Sequence, residues 1–221
     1  MLNEASYNLL ASFDQQGLSP REMIHVFDMD DTLLRTKEII LDAYERAGVH
    51  RYKAELNWGR AADEWVNSDE RTLKKYHYAK ILFSGRTPQT TALYDAARSG
   101  LLGTHCLTLT GASVDSYNML QQTVGFLPPL LGTGVSRGKK GDALFNIAST
   151  MIDKPIRRDI VFYDDSETEV TAALCSYDMW PKKHKEQVKL YIGYYNYSSM
   201  GGPEKITFFR TDGEQSWTLS F

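Results

Sequence analysis

The chain has 221 residues, a length that suits one ordinary domain with room for a small insert or appendage. With 42% hydrophobic and 24% charged residues it can bury a real core, which excludes an intrinsically disordered chain. A formal net charge of −3 gives no global basic footprint, which argues against a protein that coats nucleic acid without regard to sequence.

Residues 3–16 have helical composition, with Leu9, Leu10 and Phe13 at helical spacing, and Gly17 and Pro20 end the segment. The same stretch lacks a basic region followed by a continuous apolar core, so it does not read as a secretory signal. No run approaches the roughly 20 apolar residues that span a bilayer. A soluble, cytoplasmic protein without membrane partners is expected. Cys106 and Cys175 stand far apart, form no metal-binding pattern, and are expected as reduced, buried thiols.

Met23-Ile24-His25-Val26-Phe27 is a short apolar run ending on acidic residues and predicts a buried strand. Residues 37–47 predict an amphipathic helix stopped by Gly48, and residues 49–78 show no clear strand alternation. Residues 79–83 predict a second strand, followed by Ser84-Gly85-Arg86 and a helix over 88–98. Residues 105–109 predict a third strand. The Gly-, Pro- and Ser-rich stretch 111–138 predicts loop with a short helix around 116–123. Residues 140–151 predict a helix, residues 160–163 a fourth strand ending on Asp164-Asp165, and the tail three strands at 187–197, 205–210 and 216–221.

Apolar strands alternating with helices imply an α/β fold, a Rossmann-like parallel sheet with helices on both faces. In such sheets ligands bind outside the carboxyl ends of the strands. Asp28/Asp30, Ser84/Arg86 and Asp164/Asp165 each follow directly after a predicted strand, so all can converge on one crevice.

The segment Val26-Phe27-Asp28-Met29-Asp30-Asp31-Thr32-Leu33 resembles the first signature of the haloacid-dehalogenase (HAD) superfamily, a hydrophobic strand followed by DxDx[TV]L. Ser84 is similar to the second family motif, Lys140 in Lys140-Gly141-Asp142-Ala143-Leu144 to the third, and Asp164-Asp165 to the fourth. The likeness covers roughly residues 22–175 and leaves the tail without a counterpart. It implies a phosphatase in which Asp28 attacks phosphorus and Asp30 protonates the leaving oxygen, then activates water. Ser84 would donate to a phosphoryl oxygen and Lys140 would supply positive charge, with Lys139 its rival. The implied cofactor is Mg²⁺, held by Asp28, the Asp30 carbonyl and an acid of the 164–165 pair, Asp164 being favoured as the direct ligand. Thr32, Gly85, Arg86 and Lys139 are expected on the substrate side. Asp30 argues against true dehalogenation, which in this superfamily lacks the second aspartate.

The residue types fit that chemistry independently of the name. Phosphate monoesters are dianions that hydrolyse very slowly, so a site must neutralise charge and hold a nucleophile in line. A carboxylate nucleophile splits the reaction into two easier steps. Two carboxylates facing an anion need an intervening cation, and Mg²⁺ suits an oxygen-only shell. Taken singly, each motif has a plainer meaning: a turn after a strand, a solvated lysine, or acids capping the next helix.

Asp28 to Ser84 and Ser84 to Lys140 each span 56 positions, which leaves little length for a full cap domain. The expected organisation is a phosphatase domain over 1–185 with a small helical insert at 38–78, then a β extension over 186–221. Ser84-Gly85-Arg86 with the tandem acids is similar to the phosphatase half of polynucleotide kinase–phosphatases, which implies a nucleic-acid 3′-phosphate end or a nucleotide as substrate. A small phosphorylated metabolite is the other expectation, and a non-catalytic phosphate-binding scaffold the rival from another class. Arg71, Lys74, Lys75 and His77, Arg137 with Lys139, and Lys182, Lys183 and Lys185 are basic clusters that fit either a nucleic-acid partner or a solvated face. The run Tyr191, Tyr194, Tyr195, Tyr197 fits stacked bases or, more simply, an aromatic strand packed on a core, and the alternation of Val188, Leu190, Ile192 and Tyr194 favours packing.

Overall fold

The computed structural model describes residues 4–37, 39, 87–136, 138–196, 204–211 and 214–221. The expected strand at 79–83, most of the insert at 38–78 with its basic cluster, and Ser84, Gly85, Arg86, Arg137 and Tyr197 lie outside the described residues.

Helix α1 (Glu4–Gln15) buries Leu9 and Phe13, the positions its periodicity marked, and Gly17 closes it with φ 68°. Strand β1 (Ile24–Phe27) then enters the middle of a seven-stranded sheet. Its neighbours are β4 (Cys106–Leu109) and β6 (Ile160–Asp164), both parallel to it, with Val26 opposite Leu107 and Phe162. The chain first builds one side of β1, adding β4 and the edge strand β5 (Leu130–Gly132). It then crosses back to build the other side with β6 and β7 (Leu190–Asn196). That reversal places the topological switch point at the carboxyl ends of β1 and β6, where open α/β sheets hold ligands.

The three tail strands appear where the sequence places them, and they are a continuation of the same sheet. β7 is parallel to β6, while β8 (Lys205–Arg210) and β9 (Trp217–Ser220) extend it antiparallel. A separate two-stranded antiparallel pair, β2 (Leu34–Arg35) with β3 (Gln89–Thr90), includes the segment just after the first acidic motif. The predicted helix at 88–98 therefore begins later, as α2 (Ala92–Arg98), because Gln89 and Thr90 pair with β2 and Thr91 caps the helix by accepting from the Tyr94 amide. The helix expected around 116–123 is α3 (Val114–Val124), capped by Ser113 and ended by Gly125 at φ 80°. Strand β5 was not anticipated, since Pro128 and Pro129 precede it. It lies at the edge, where proline carbonyls still serve the sheet: Thr108 donates its amide to Pro129 and its hydroxyl to Pro128, each at 2.8 Å.

Helix α4 (Lys140–Met151) occupies the predicted span, followed by α5 (Glu167–Asp178) and α6 (Lys182–Gln187). Side chains alternate along the strands and divide the core in two. His25, Phe27, Val161, Tyr163, Tyr191 and Tyr195 face the side covered by α1 and α2, and Val26, Ile160, Phe162, Leu190 and Ile192 face α4 and α5. Helices therefore cover both faces of the sheet. Cys106 is buried as expected, but Cys175 is exposed on α5, which corrects its assignment to the core. No described helix is long and apolar enough to cross a membrane.

His25 is fully buried, and burial depresses its pKa to about 4 despite the Pro20 carbonyl. Nε2 lies 2.7 Å from that carbonyl and must donate to it, so Nδ1 is left to accept from the Tyr163 hydroxyl at 3.0 Å. Because the unfolded chain binds this proton more tightly, the stabilising effect of a neutral His25 is complete above pH 6.5 and is lost as pH falls toward 4. The stability of the wild type relative to a His25→Gln variant is expected to drop by about 3 kcal/mol between pH 7 and pH 4. Urea titrations at several pH values check this, and a pH-independent difference would refute the buried neutral imidazole.

Candidate active site

Asp28 follows β1 directly, and its amide extends the ladder by donating to Tyr163 O at 2.9 Å. The next residues fold into a tight turn. Leu33 and Leu34 donate to Met29 O, Asp31 donates to Leu34 O at 2.6 Å, and Asp31 takes a left-handed conformation with φ 57°. That conformation is strained for a non-glycine residue and persists because the surroundings fix it. Asp31 Oδ1 accepts from the amides of Thr36 and Lys37, both at 3.1 Å, while Thr91 Oγ1 donates to Thr32 O at 2.7 Å. Asp28 is thereby presented at the strand end while the chain doubles back into β2.

Lys140 opens α4, with its side chain at the carboxyl ends of β1 and β6. Its Nζ donates to Asp28 Oδ1 at 2.6 Å and Asp164 Oδ2 at 2.7 Å. Lys140, Asp28 and Asp164 are each 6% exposed or less, so this is a buried charge cluster. Gly141 permits the placement: a Cβ there would sit 2.5 Å from Ser176 Cβ, so only glycine lets α4 lie this close to α5.

Carboxylate oxygens of Asp28, Asp164 and Asp165 all lie within 4.8 Å of one another. Among the described residues one ammonium stands against these three carboxylates, a formal excess of two negative charges. The titration directions follow. Burial raises Asp164 to about 7, with Lys140 opposing and Asp28 adding to the rise. Burial raises Asp165 well above the carboxylate range, reinforced by the charges of Asp28, Asp164 and Asp31. Burial works against the charge of Lys140, but Asp28 and Asp164 outweigh it and its pKa rises. A compact set of hard oxygen donors with two uncompensated charges fits a divalent cation such as Mg²⁺.

The members of the acidic pair differ. Asp164 has both oxygens engaged, Oδ2 by Lys140 and Oδ1 by the Ser166 amide at 2.8 Å, so part of its role is the local turn before α5. Asp165 has a long 3.5 Å contact from Thr32 Oγ1. Both acids of the pair belong to the three-carboxylate cluster with Asp28. Asp30 is half-buried, and its Oδ1 accepts from Thr36 Oγ1 at 2.7 Å.

Thr32 and Lys139, both expected on the substrate side, differ in placement. Thr32 is fully buried with its hydroxyl turned to Asp165. Lys139 is exposed and paired with Asp142 at 3.9 Å, because it precedes the first turn of α4 whereas Lys140 lies within it. Of the cluster on α6, Lys182 and Lys183 are exposed and Lys185 is half-buried. There Lys182 pairs with Glu186 and Lys183 with Asp153, while Lys185 donates to the Asp178 carbonyl. Tyr191 and Tyr195 are packed in the core, and Tyr194 is half-buried at the end of β7.

Sequence reasoning did not single out Thr36, Thr91 or Glu169. Thr91 carried a readable signal as a helix cap. Glu169 is buried and accepts from the Gly138 amide at 2.7 Å, steadying the approach to Lys140; nothing in its local sequence announces that.

A seven-stranded, mainly parallel sheet with catalytic-type carboxylates at its switch point defines a Rossmann-like α/β protein with an acidic, lysine-bridged site. Among solved structures, the chain is similar to one assigned as a HAD-hydrolase, YfnB from Bacillus subtilis bound to magnesium, at 16% identity and TM-score 0.43, covering 71% of this chain and 86% of that one. It is also similar to a dehalogenase at 10% identity and TM-score 0.46, covering 76% of this chain and 91% of that one. A third is a hydrolase from Pseudomonas syringae at 14% identity and TM-score 0.46, covering 78% and 93%. No protein-family model and no curated protein matches the chain.

Proposed function

We propose that the protein is a Mg²⁺-dependent phosphomonoester hydrolase that works through an aspartyl-phosphate on Asp28. The observation that carries this reading is the Lys140 ammonium bridging Asp28 and Asp164 at the ends of adjacent parallel strands. Such a bridge orients Asp28 and would place positive charge where negative charge grows on the transferring phosphoryl group. In the first step an Asp28 carboxylate oxygen bonds to phosphorus while the ester oxygen departs, taking a proton from Asp30. In the second, Asp30 removes a proton from water as that water bonds to phosphorus, and the Asp28–phosphorus bond breaks to release inorganic phosphate. Asp28 and Asp165 would hold Mg²⁺, with Asp164 beside them, and the bound ion would neutralise phosphate charge. Asp30 is set for its role by the Thr36 hydroxyl.

The narrower substrate proposal, a nucleotide or a nucleic-acid 3′-phosphate end, rests on the Ser84-Gly85-Arg86 likeness. Tyr194, half-buried and opposite Asp164 in the sheet, supports this reading as a residue that a base could reach. Phosphate release is to be measured with 3′- and 5′-phosphorylated oligonucleotides, nucleotides and sugar phosphates. The expected result is Mg²⁺-dependent turnover, abolished by chelation and greatest on the nucleic-acid ends. No turnover on any ester would leave the scaffold reading, and a preference for sugar phosphates would leave the small-metabolite reading. Mg²⁺ is also expected to raise the melting temperature of the wild type in proportion to RT ln(1 + [Mg²⁺]/Kd), and to do so far less in Asp165→Asn.

A further inference from the structure

The tail strands have no counterpart in the sequence motifs, yet a residue of the tail reaches β2, the strand that follows the turn carrying Asp30. Glu204, just before β8, forms an ion pair through Oε1 with Arg35 Nη2 of β2. Its other oxygen accepts from the Ala92 amide at the start of α2, at 3.4 Å. The Tyr195 phenol of β7 lies beside both Glu204 and Arg35 in a largely buried setting. The Glu204 backbone is fixed too, since its carbonyl accepts from the Phe221 amide at 2.9 Å. Arg35 is adjacent in sequence to Thr36, the residue whose hydroxyl holds Asp30 Oδ1 and whose amide holds Asp31.

We infer that Glu204 is a positioning residue, by which the C-terminal strands set the Arg35–Thr36 segment and hence the orientation of Asp30. The inference rests on the reading of Asp30 as the proton donor to the leaving group. Its physical basis is that a two-residue strand such as β2 is too short to hold its own register. Among the described residues its pairing with β3 covers Leu34–Thr90 and Arg35–Gln89, so a partly buried ion pair anchored on the main sheet supplies added rigidity. A displacement near 1 Å at a general acid costs on the order of a hundredfold in rate.

A merely structural role would slow all substrates alike. A misplaced acid slows only esters whose leaving group needs a proton. The test compares an alkyl phosphate with a nitrophenyl phosphate in wild type, Glu204→Ala and Thr36→Val, together with amide hydrogen exchange over residues 30–36. Thr36→Val removes the hydroxyl that contacts Asp30 and defines the signature of a misplaced acid. Glu204→Ala is expected to lower kcat on the alkyl ester by roughly tenfold to a hundredfold. On the nitrophenyl ester the change should stay within about twofold, with faster exchange at 30–36. Equal losses on both esters, or unchanged exchange, would overturn the inference. Turnover that survives Asp28→Asn would instead overturn the phosphatase reading, and Asp30's role with it, while the exchange data separately decide whether Glu204 holds the turn.

Discussion

Asp28→Asn is expected to reduce Mg²⁺-dependent phosphate release by at least about 10³-fold, because an amide oxygen neither attacks phosphorus effectively nor forms the covalent intermediate. The substitution is nearly isosteric, and its carbonyl can still accept from Lys140, so the folded state should survive. Burial of a neutral group also relieves one of the three clustered carboxylates. A melting temperature within a few degrees of wild type would show that the loss is chemical. With slow substrates, radiolabelled phosphate should be trapped on wild-type protein after acid quench and be absent from the variant. Retained turnover would falsify the nucleophile assignment.

Lys140→Met is expected to have a second kind of effect, on stability as well as rate. Lys140 holds two carboxylates that are almost fully excluded from water. Deleting the cation from such a cluster leaves uncompensated buried charge, at a cost of about 3–5 kcal/mol. The sign of the pH dependence follows: the orphaned carboxylates acquire raised folded-state pKa values, so the variant is least destabilised at low pH and loses more stability as pH rises. Mg²⁺ should restore part of the loss by supplying the missing positive charge, while activity stays low because the charge beside Asp28 is gone. Denaturant titrations at pH 5 and pH 8, with and without Mg²⁺, measure all of these effects. A variant as stable as wild type at pH 8 without metal would show that the ion pairs contribute nothing.

Legibility in the sequence followed the range of the physics involved. Apolar runs bounded by acids and glycines located β1, β4 and β6, and helical periodicity located α1 and the whole of α4, since burial on one face is written locally. The alternation of Val188, Leu190, Ile192 and Tyr194 marked the face that packs under α5. The candidate chemistry was equally visible, because carboxylates after strand ends must face the crevice of a parallel sheet. β5 escaped because three residues after two prolines carry almost no pattern, and the β2–β3 pair because its strands lie more than fifty residues apart.

The amino-acid order by itself determined the sheet strands that frame the site, the helix that carries Lys140, and the acidic residues at the strand ends, since these depend on local periodicity and on the direction of the chain. Only the tertiary structure decided which of those side chains meet. It brought Lys140 onto Asp28 and Asp164 and left Lys139 at the surface beside Asp142. It also joined Glu204 to Arg35 across 169 positions. Such choices depend on distances between elements remote in sequence, which no local pattern encodes.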